Sequence, residues 1–322
     1  MKFNGKIAVL KGGFSDERAI SLKTSENVEQ ALKELGFKYT SIDCKDDFIE
    51  KLISSNFDLC FNALHGEFGE DGQIQALLEE IGIKYTHSGI SSSILAMNKV
   101  FSKEIFIRNN VPTPKYKMLD KEDVNENDIL IPSVIKPINN GSSVGVYIIL
   151  SESDKTSFLN DLKNWKYGKY IMVEKYIKGR ELTCGIIDNK PTEVMEIKAK
   201  NIFYDYETKY TQGMSEYVLA NDIPRKTYTK IQDLTMRCHN LLGCKGVTRT
   251  DFRLEEGEIL SPYVLELNTN PGLTKTSLIP KLAAFQDISY NKKLRIGGMV
   301  KKDSLKIDSE DLSLIHISEP TR

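Results

Sequence analysis

The chain lacks the features that mark several large classes of protein. Its five cysteines are scattered through 322 residues and none is spaced Cys-x-x-Cys. This pattern favours reduced packing thiols in a cytoplasmic protein over a disulfide framework or a zinc site. No apolar run is long enough to cross a membrane, and charge interrupts the N-terminal apolar segment too early for a signal peptide.

Strong charge of one sign and two common nucleotide-binding motifs are also missing. The formal net charge is −1, which does not indicate a nucleic-acid partner. The sequence contains neither GxGxxG, the motif of dinucleotide-binding Rossmann domains, nor GxxxxGK[ST], the Walker A motif. Neither class of protein is therefore predicted. The composition, 40% hydrophobic and 28% charged residues, is typical of a globular protein with two or three domains.

The first third of the chain alternates strand-like and helix-like segments. KIAVL at 6–10 has the pattern of a buried strand, and residues 21–35 carry apolar side chains at helical spacing before Gly36. The alternation predicts an N-terminal doubly wound α/β domain over residues 1–112. Ligands of such domains lie at the carboxyl ends of the strands. Two polar loops, at 12–17 and 64–72, fall at that edge.

The prolines of VPTP at 111–114 predict a domain boundary, because the residue before a proline disfavours helix. We expect a small, mostly antiparallel central domain at 113–188, including a strand at 181–187. A C-terminal α+β domain is expected at 189–290. The predicted fold class is thus α/β, or α+β overall, and residues 291–322 form an atypical tail.

Polar side chains alternate along two neighbouring strand-like segments, GVTRTDFRL at 246–254 and YVLELNTNPGL at 263–273. Alternate residues of a strand share a face, which pairs Arg249 with Asp251 and Glu266 with Asn268. Two carboxylates and an amide oxygen are a ligand set that suits Mg²⁺. The alternative is a surface hairpin with ordinary charges.

A glycine- and serine-rich turn, NNGSSVG at 139–145, follows the strand-end residue Lys136. Glycines let backbone N–H groups approach phosphate oxygens, and the serines and the lysine add donors and charge. We therefore predict a phosphate-covering loop. A simple hairpin turn would explain the glycines but not the paired serines and the lysine.

Other polar residues are open to two interpretations each. Glu174, Lys175 and Glu181 could bind adenine and ribose or could belong to a half-exposed strand. His65 could orient a ligand or be structural, while Glu17 suits a substrate ammonium group. The aromatic loop FYDYETKY at 203–210 could be a core plug, although its interleaved charges favour a lid.

The motifs LHGEFGEDG, KPxxxGSSVGV, FYDYETKY, GVTRTDF and LELNTNPGLT occur in this order over residues 6–284. Together they resemble the D-alanine–D-alanine ligases of the ATP-grasp superfamily. The resemblance implies an ATP-grasp fold in which ATP lies between the central and C-terminal domains.

The resemblance also implies a role for each matching residue. Two Mg²⁺ ions, with Mn²⁺ as a possible substitute, would be held by Asp251, Glu266 and Asn268. ATP would contact Lys99, Lys136, Ser142, Ser143, Glu174, Lys175, Ile177, Glu181 and Lys209. D-Alanine would contact Glu17, His65, Ser277 and Leu278. The catalytic residues would be Glu17, Ser142, Tyr210, Arg249 and Gly272.

The reaction implied is the ATP-dependent, ADP-forming ligation of two D-alanines through a D-alanyl phosphate, for peptidoglycan precursor synthesis. A D-alanine–D-lactate ligase and a non-catalytic ATP-binding protein are the alternatives. The resemblance also implies a cytoplasmic homodimer with no membrane or nucleic-acid partner.

The resemblance weakens after Ala284. Residues 291–311 are basic and then acidic with little helical pattern, and LSLIHISEPTR at 312–322 resembles a translated sequencing-library adapter. We expect the native reading frame to end before Leu312 and this tail to carry no function. Resequencing the locus tests this, since an unbroken genomic frame through Arg322 would contradict it.

Overall fold

Three β-sheets, with helices packed on them, organise the part of the chain that the structure describes. This computed structural model describes residues 3–199, 215–286 and 317–318. A parallel sheet comes first in the chain, a small antiparallel sheet second and a larger antiparallel sheet third. The predicted mixture of α/β and α+β architecture is therefore confirmed.

The first sheet is the parallel sheet of the N-terminal part of the chain. Its strands are β1 (Lys6–Lys11), β2 (Lys38–Asp43), β3 (Leu59–Asn62) and β4 (Lys84–Thr86), and its helices are α1 (Arg18–Glu34), α2 (Phe48–Ser54) and α3 (Gln73–Glu80). The order is β4-β3-β1-β2, and a two-residue strand, Ile317–Ser318, lies antiparallel to β4. Ile7 and Val9 of β1 pack into one core, while Ala8 and Leu10 pack into another. Burial on both faces is expected of a parallel sheet covered by helices on each side.

Helix α1 illustrates why these segments form the elements they do. Its apolar positions Val28, Ala31 and Leu32 recur at helical spacing and are buried against the sheet. Gly36 follows with φ +72°, a left-handed conformation that glycine adopts without strain and that commonly ends a helix. The loops after β1 and β3 then lie at the carboxyl edge of the sheet, where the sequence predicted them.

Two short helices, α4 (Ile90–Met97) and α5 (Lys99–Arg108), lead from the first sheet to the second. Asn98 separates them, and its side-chain oxygen accepts hydrogen bonds from the N–H groups of Val100 and Phe101. This cap ends one helix and begins the next in a new direction. Helix α5 thereby lies between the sheets that follow.

The second sheet is small and antiparallel, as predicted for the central part of the chain. Its strands are β5 (Tyr116–Asp120), β6 (Ser133–Pro137), β7 (Tyr147–Ile149) and β8 (Tyr170–Lys175), in the order β5-β8-β6-β7, with helix α6 (Glu152–Asp161) packed on one face. Phe158 and Trp165 close its core against Ile135 and Ile171.

The third sheet contains the polar strands singled out in the sequence. Its strands are β9 (Gly179–Ile187), β10 (Lys190–Pro191), β11 (Met195–Ala199), β12 (Ser215–Leu219), β13 (Thr248–Glu255) and β14 (Ser261–Asn268), in the order β12-β11-β9-β13-β14, and β10 pairs with β9. Helices α7 (Arg225–Leu241) and α8 (Leu278–Phe285) pack against it.

Strand β9 pairs differently from the sequence-based expectation. The sequence placed residues 181–187 in the central unit, but β9 pairs with β11 and β13 of the third sheet. The pattern of a strand reports which faces are buried and does not report its partners, and β9 directly follows β8 in the chain. The domain boundaries at 112, 188 and 290 stay predictions.

Among residues 3–199, 215–286 and 317–318, no helix is both long and apolar enough to cross a bilayer.

Candidate active site

Two adjoining pockets lie where the three sheets meet. The first pocket is a cleft between the second and third sheets, called here the inter-sheet cleft. Its polar lining includes Lys99, Lys136, Asn140, Ser143, Glu174, Lys175, Glu181, Asp251, Arg253 and Glu266. The second pocket is lined by Glu17, Ile20, His65, Glu70, Ser142, Arg249, Asn268, Gly272, Thr276, Ser277 and Leu278.

The two pockets share a wall. Ser142 lines the second pocket and its neighbour Ser143 lines the cleft. Arg249 faces the second pocket and binds Asp251, which faces the cleft. A group transferred across this wall would therefore pass between a serine loop and a fixed arginine.

The register of β13 and β14 brings the predicted polar residues together. Arg249 lies directly opposite Asn268, and Asp251 lies directly opposite Glu266. Since opposite residues of an antiparallel pair point to the same face, all four side chains share one surface, as the alternation predicted. A β-bulge after Asp251 shifts the register and leaves Leu265 as the extra residue, which also lines the cleft.

Directly opposed carboxylates repel each other, and nearby cations offset this repulsion. The Nε and Nη2 atoms of Arg249 donate to both carboxylate oxygens of Asp251 at 2.8–3.2 Å, and Thr183 donates to Oδ1 at 2.7 Å. Glu266 pairs with Lys99 at 3.0 Å. The pair of carboxylates is thus held in place before any ligand binds.

The donor set fits a divalent cation that shares its ligands with a substrate. Asp251, Glu266 and the amide oxygen of Asn268 are hard oxygen ligands, and Asn268 Oδ1 also accepts the N–H of Asn270 at 2.9 Å. In the described part of the chain, no group of three or more His, Cys, Asp or Glu side chains could hold a metal alone. Mg²⁺ is commonly bound by one or two carboxylates plus substrate phosphates, and this arrangement suits that mode.

Glu174 of β8 is the central charge at the other end of the cleft. Its side chain is 2% exposed, with Lys103 Nζ 2.5 Å from Oε1 and Lys136 Nζ 2.6 Å from Oε2. Burial raises the pKa of Glu174, but the two lysines outweigh it and hold the pKa below its ordinary value. Lys136 was predicted to contact phosphates. In the structure it pairs with Glu174, the carboxylate that was predicted to face adenine.

The strand that follows carries the predicted Ile177 and Glu181, and Arg253 binds both. Arg253 Nε donates to the carbonyl oxygen of Ile177 at 3.2 Å, and Nη1 donates to Glu181 at 3.3 Å. Arg253 was not among the residues predicted from the sequence, although it follows Arg249 and Asp251 on the same face of β13. The strand alternation could have found it.

The predicted phosphate-covering loop is a tight turn with unusual backbone angles. Ser142 and Ser143 have φ of +51° and +59°, and Val144 N–H donates to the carbonyl oxygen of Gly141 at 3.1 Å. Gly145 also has a positive φ, and a Cβ there would lie 2.5 Å from the Tyr167 ring. Positive φ is costly for residues other than glycine and concentrates at functional sites.

The acidic side of the second pocket is formed by the loops after β1 and β3. Ser142 donates a hydrogen bond to Glu17 Oε1, which joins the phosphate-covering loop to the N-terminal part of the chain. His65 Nε2 lies 2.9 Å from Thr24 Oγ1, and its Nδ1 lies 3.1 Å from Glu70 Oε1. Burial raises the pKa of Glu70, and His65 opposes this shift. Glu70 was not predicted to belong to the site, because its position in LHGEFGEDG does not show that it reaches His65.

The opposite side of this pocket is the turn after β14. A Cβ on Gly272 would lie 2.9 Å from Ser277 Oγ, so only glycine fits beside this serine without a shift. Ser277 Oγ also accepts the N–H of Thr274 at 3.1 Å. Asn270 Nδ2 donates to the carbonyl oxygen of Leu64 at 2.8 Å, which ties the turn to the N-terminal part of the chain.

Most of the predicted site residues thus line one pocket or the other. Lys209 and Tyr210 lie outside the described residues, and so does the whole loop at 203–210. The individual roles of all these residues stay predictions.

Comparison with known proteins agrees with this arrangement. A family model described as D-ala D-ala ligase C-terminus matches residues 105–296, and another described as D-ala D-ala ligase N-terminus matches residues 45–88. The D-alanine–D-alanine ligase of Wolbachia pipientis wMel is 43% identical over 304 residues, 93% of this chain and 94% of that protein. The ligase of Rhodospirillum rubrum is 42% identical over 289 residues, 88% of this chain and 94% of that protein.

The chain is also similar to solved structures of D-alanine–D-alanine ligases. The crystal structure of D-alanine–D-alanine ligase from Bacillus anthracis complexed with ATP has a TM-score of 0.76 and 31% identity. The match covers 89% of this chain and 94% of that one. The fold is that of the ATP-grasp ligases, as predicted. The chain belongs to the D-alanine–D-alanine ligase family, which confirms the predicted family and the predicted class of ATP-dependent ligase.

Proposed function

We propose that this protein joins two D-alanines into D-alanyl-D-alanine, with ATP converted to ADP and phosphate. The shared wall between the two pockets carries this proposal. A cleft with lysines and paired carboxylates suits a nucleotide, and the adjoining pocket with Glu17 suits an amino acid. Phosphoryl transfer requires these two ligands to meet at such a wall.

The reaction begins with activation of the first D-alanine carboxylate. A carboxylate oxygen attacks the γ-phosphorus of ATP, the bond to the bridging oxygen breaks, and ADP leaves, giving D-alanyl phosphate. Glu17 binds the ammonium group of this D-alanine, and His65 lies beside it. Lys99 and Lys136 neutralise charge on the phosphates, while Ser142 and Ser143 cover them.

The second D-alanine then forms the peptide bond. Its amine attacks the carbonyl carbon of the acyl phosphate, the C–O bond to phosphate breaks, and the amine loses a proton. Arg249 and the N–H of Gly272 stabilise the oxyanion that forms during this attack. Ser277 and Leu278, at the start of α8, receive the carboxylate of the incoming D-alanine.

Mg²⁺, when bound, would be held by Asp251, Glu266 and Asn268 and would neutralise charge on the ATP phosphates. The chain itself supplies the orientation of these ligands. Arg249 and Thr183 fix Asp251, and Lys99 fixes Glu266. Glu174, Lys175, Ile177 and Glu181 take the adenine and ribose end.

Phosphate release tests this function. Wild-type protein with ATP and Mg²⁺ is expected to release phosphate only when D-alanine is added. D-Lactate, offered as the second acceptor, should not replace the second D-alanine. Preference for D-lactate would make the protein a D-alanine–D-lactate ligase. ATP binding without D-alanine-dependent turnover would identify a non-catalytic ATP-binding protein. Either result contradicts the proposal.

We also propose a cytoplasmic homodimer engaged in peptidoglycan precursor synthesis. Membership of the ligase family supports this proposal. Light scattering after size-exclusion chromatography should give a mass of two chains, and a single-chain mass over the micromolar range would contradict the dimer. Depletion of the protein in its host should halt cell-wall growth unless D-alanyl-D-alanine is supplied.

A further inference from the structure

Lys103 is a fully buried lysine that none of the steps above uses. It lies on α5, and its side chain is 0% exposed. Its Nζ lies 2.5 Å from Glu174 Oε1 and donates to Thr113 Oγ1, also at 2.5 Å. A lysine rarely stays buried unless it is paired, so this position demands an explanation.

The contact of Lys103 fixes the orientation of Glu174. Lys103 holds one carboxylate oxygen and Lys136 holds the other, at 2.6 Å. Rotation of the carboxylate about its last side-chain bond would break both contacts. Glu174 lines the cleft together with Lys175 and Ile177, so that a carboxylate of fixed orientation forms part of this end of the cleft.

Lys103 also connects the two ends of the cleft. Thr113, which accepts from Lys103, donates to the carbonyl oxygen of Val264 on β14 at 2.8 Å. Lys99, one turn earlier on α5, pairs with Glu266 of the same strand. One helix thus holds a carboxylate of the second sheet and a carboxylate of the third sheet at a set separation.

An ionised carboxylate can only accept hydrogen bonds, and this restricts the base it can receive. Adenine carries an amino group at its position 6, a donor, whereas guanine carries a carbonyl oxygen at that position, an acceptor. An ionised Glu174 therefore attracts the amino group of adenine and repels the carbonyl oxygen of guanine. A protonated Glu174 could donate to guanine and would lose this selectivity.

We propose that Lys103 is a positioning residue that acts through Glu174 and sets the preference of the cleft for adenine over guanine nucleotides. The inference rests on the proposed function only in taking ATP as the ligand of the cleft. Its physical basis is that Lys103 supplies one of two cations to a buried carboxylate. Removal of either cation favours the neutral carboxyl group.

The test compares Lys103→Met with Lys103→Arg and with Lys155→Met. Lys155 is a matched control, because it is a mostly buried lysine that pairs with Glu152 on α6. Equilibrium titration of each variant with ATP and with GTP needs no D-alanine. A wild type without ligase activity would therefore contradict the proposed function and leave this test intact.

Lys103→Met is expected to weaken ATP binding about 10-fold or more, because the adenine amino group would lose its charge-assisted hydrogen bond to an ionised Glu174. The ratio of GTP to ATP dissociation constants should fall by a similar factor. The KM for D-alanine and kcat at saturating ATP should stay within about 3-fold of wild type. Lys103→Arg and Lys155→Met should keep the wild-type ratio. An unchanged ratio in Lys103→Met would overturn the proposal.

A second pair of variants covers the case in which Lys103→Met does not fold. Glu174→Gln keeps an acceptor oxygen, and the double variant Lys103→Met/Glu174→Gln no longer contains the buried carboxylate that lost its partner. If Lys103 acts through Glu174, both variants have the same ATP affinity and the same GTP-to-ATP ratio. A double variant that binds ATP about 10-fold more weakly than Glu174→Gln would show an independent structural role and overturn the proposal.

Discussion

The two pockets share a wall but are constructed differently. The inter-sheet cleft takes its charges largely from strands: Lys136 from β6, Glu174 from β8, and Asp251 and Glu266 from β13 and β14. Apart from Arg249 on β13 and Asn268 on β14, the second pocket takes its polar groups from the loops after β1 and β3, from the serine turn and from the turn after β14.

Different interactions therefore fix the geometry of the two pockets. In the cleft, backbone ladders set the spacing of the charges, and lysine–carboxylate pairs hold their orientation. In the second pocket, the geometry depends on how the N-terminal loops dock, through contacts such as Asn270 with Leu64 and Ser142 with Glu17. Ligand binding in the cleft should therefore tolerate loosening of the docking contacts, and binding in the second pocket should not.

Arg249 belongs to the shared wall, and its loss should therefore affect both pockets. Arg249→Ala removes the donors to both oxygens of Asp251 and the cation facing the second pocket. We expect kcat for D-alanine-dependent phosphate release to fall about 10³-fold, as for loss of an oxyanion donor. Arg225→Ala on α7 is the control, because this exposed arginine lies outside both pockets. A fall of less than 10-fold would contradict the assigned role.

Glu17 tests the second pocket alone. Glu17→Gln removes the negative charge that we propose binds the ammonium group of the first D-alanine. Since a hydrogen bond to a charged group contributes about 1.5–3 kcal/mol, we expect kcat/KM for D-alanine to fall about 100-fold. The dissociation constant for ATP should not change. Asp16→Asn makes the equivalent change on the exposed neighbouring residue and should have little effect. Equal losses in both variants would refute a specific role of Glu17.

Asn270 tests the docking contact rather than a substrate contact. Asn270→Ala leaves the buried carbonyl oxygen of Leu64 without this donor, and loss of such a bond costs about 1–3 kcal/mol. We expect the KM for D-alanine to rise about 10-fold while the dissociation constant for ATP stays the same. Asn240→Ala, on the exposed face of α7, is the control. Weakened ATP binding in Asn270→Ala would show that the cleft also depends on docking.

The same difference explains how much of the site could be predicted from sequence. Alternation with a period of two placed Arg249, Asp251, Glu266 and Asn268 on one face, and the register confirms this. The register itself could not be predicted, because residues 256–260 form a loop longer than a tight hairpin requires and a bulge at Leu265 shifts the pairing. Local pattern thus predicted which side chains share a surface, but not their exact partners.

The contacts that were missed depend on the folded structure and not on a local sequence pattern. Nothing local to Lys103 distinguishes it from a solvent-exposed helical lysine, and only the packing of α5 against β8 brings it to Glu174. Glu70 was likewise missed, since its contact depends on the fold of the loop after β3. The fold class could be predicted because it follows from the order of repeated strand and helix patterns.

The last prediction concerns stability and has the smallest expected effect, since Glu174 is one of 45 acidic residues. Burial raises the pKa of Glu174, but Lys103 and Lys136 outweigh it and hold the pKa of the folded protein below the ordinary 4.5. The folded state then binds this proton less readily than the unfolded state. The resulting stabilisation is fully present above the unfolded pKa and is lost as the pH falls through the folded pKa.

Glu174→Gln removes this group from the titration. The free energy of unfolding should therefore fall less steeply between pH 6 and pH 3, each about a unit and a half from the ordinary glutamate pKa, than in the wild type. Urea unfolding at a series of pH values measures this slope, and the comparison uses the slope because the substitution also changes stability at neutral pH. Glu67→Gln, on the exposed loop after β3, is the control and should keep the wild-type slope. Identical slopes for all three proteins would mean that the lysines do not hold Glu174 ionised. The charges of the cleft could then not be treated as fixed before the nucleotide binds.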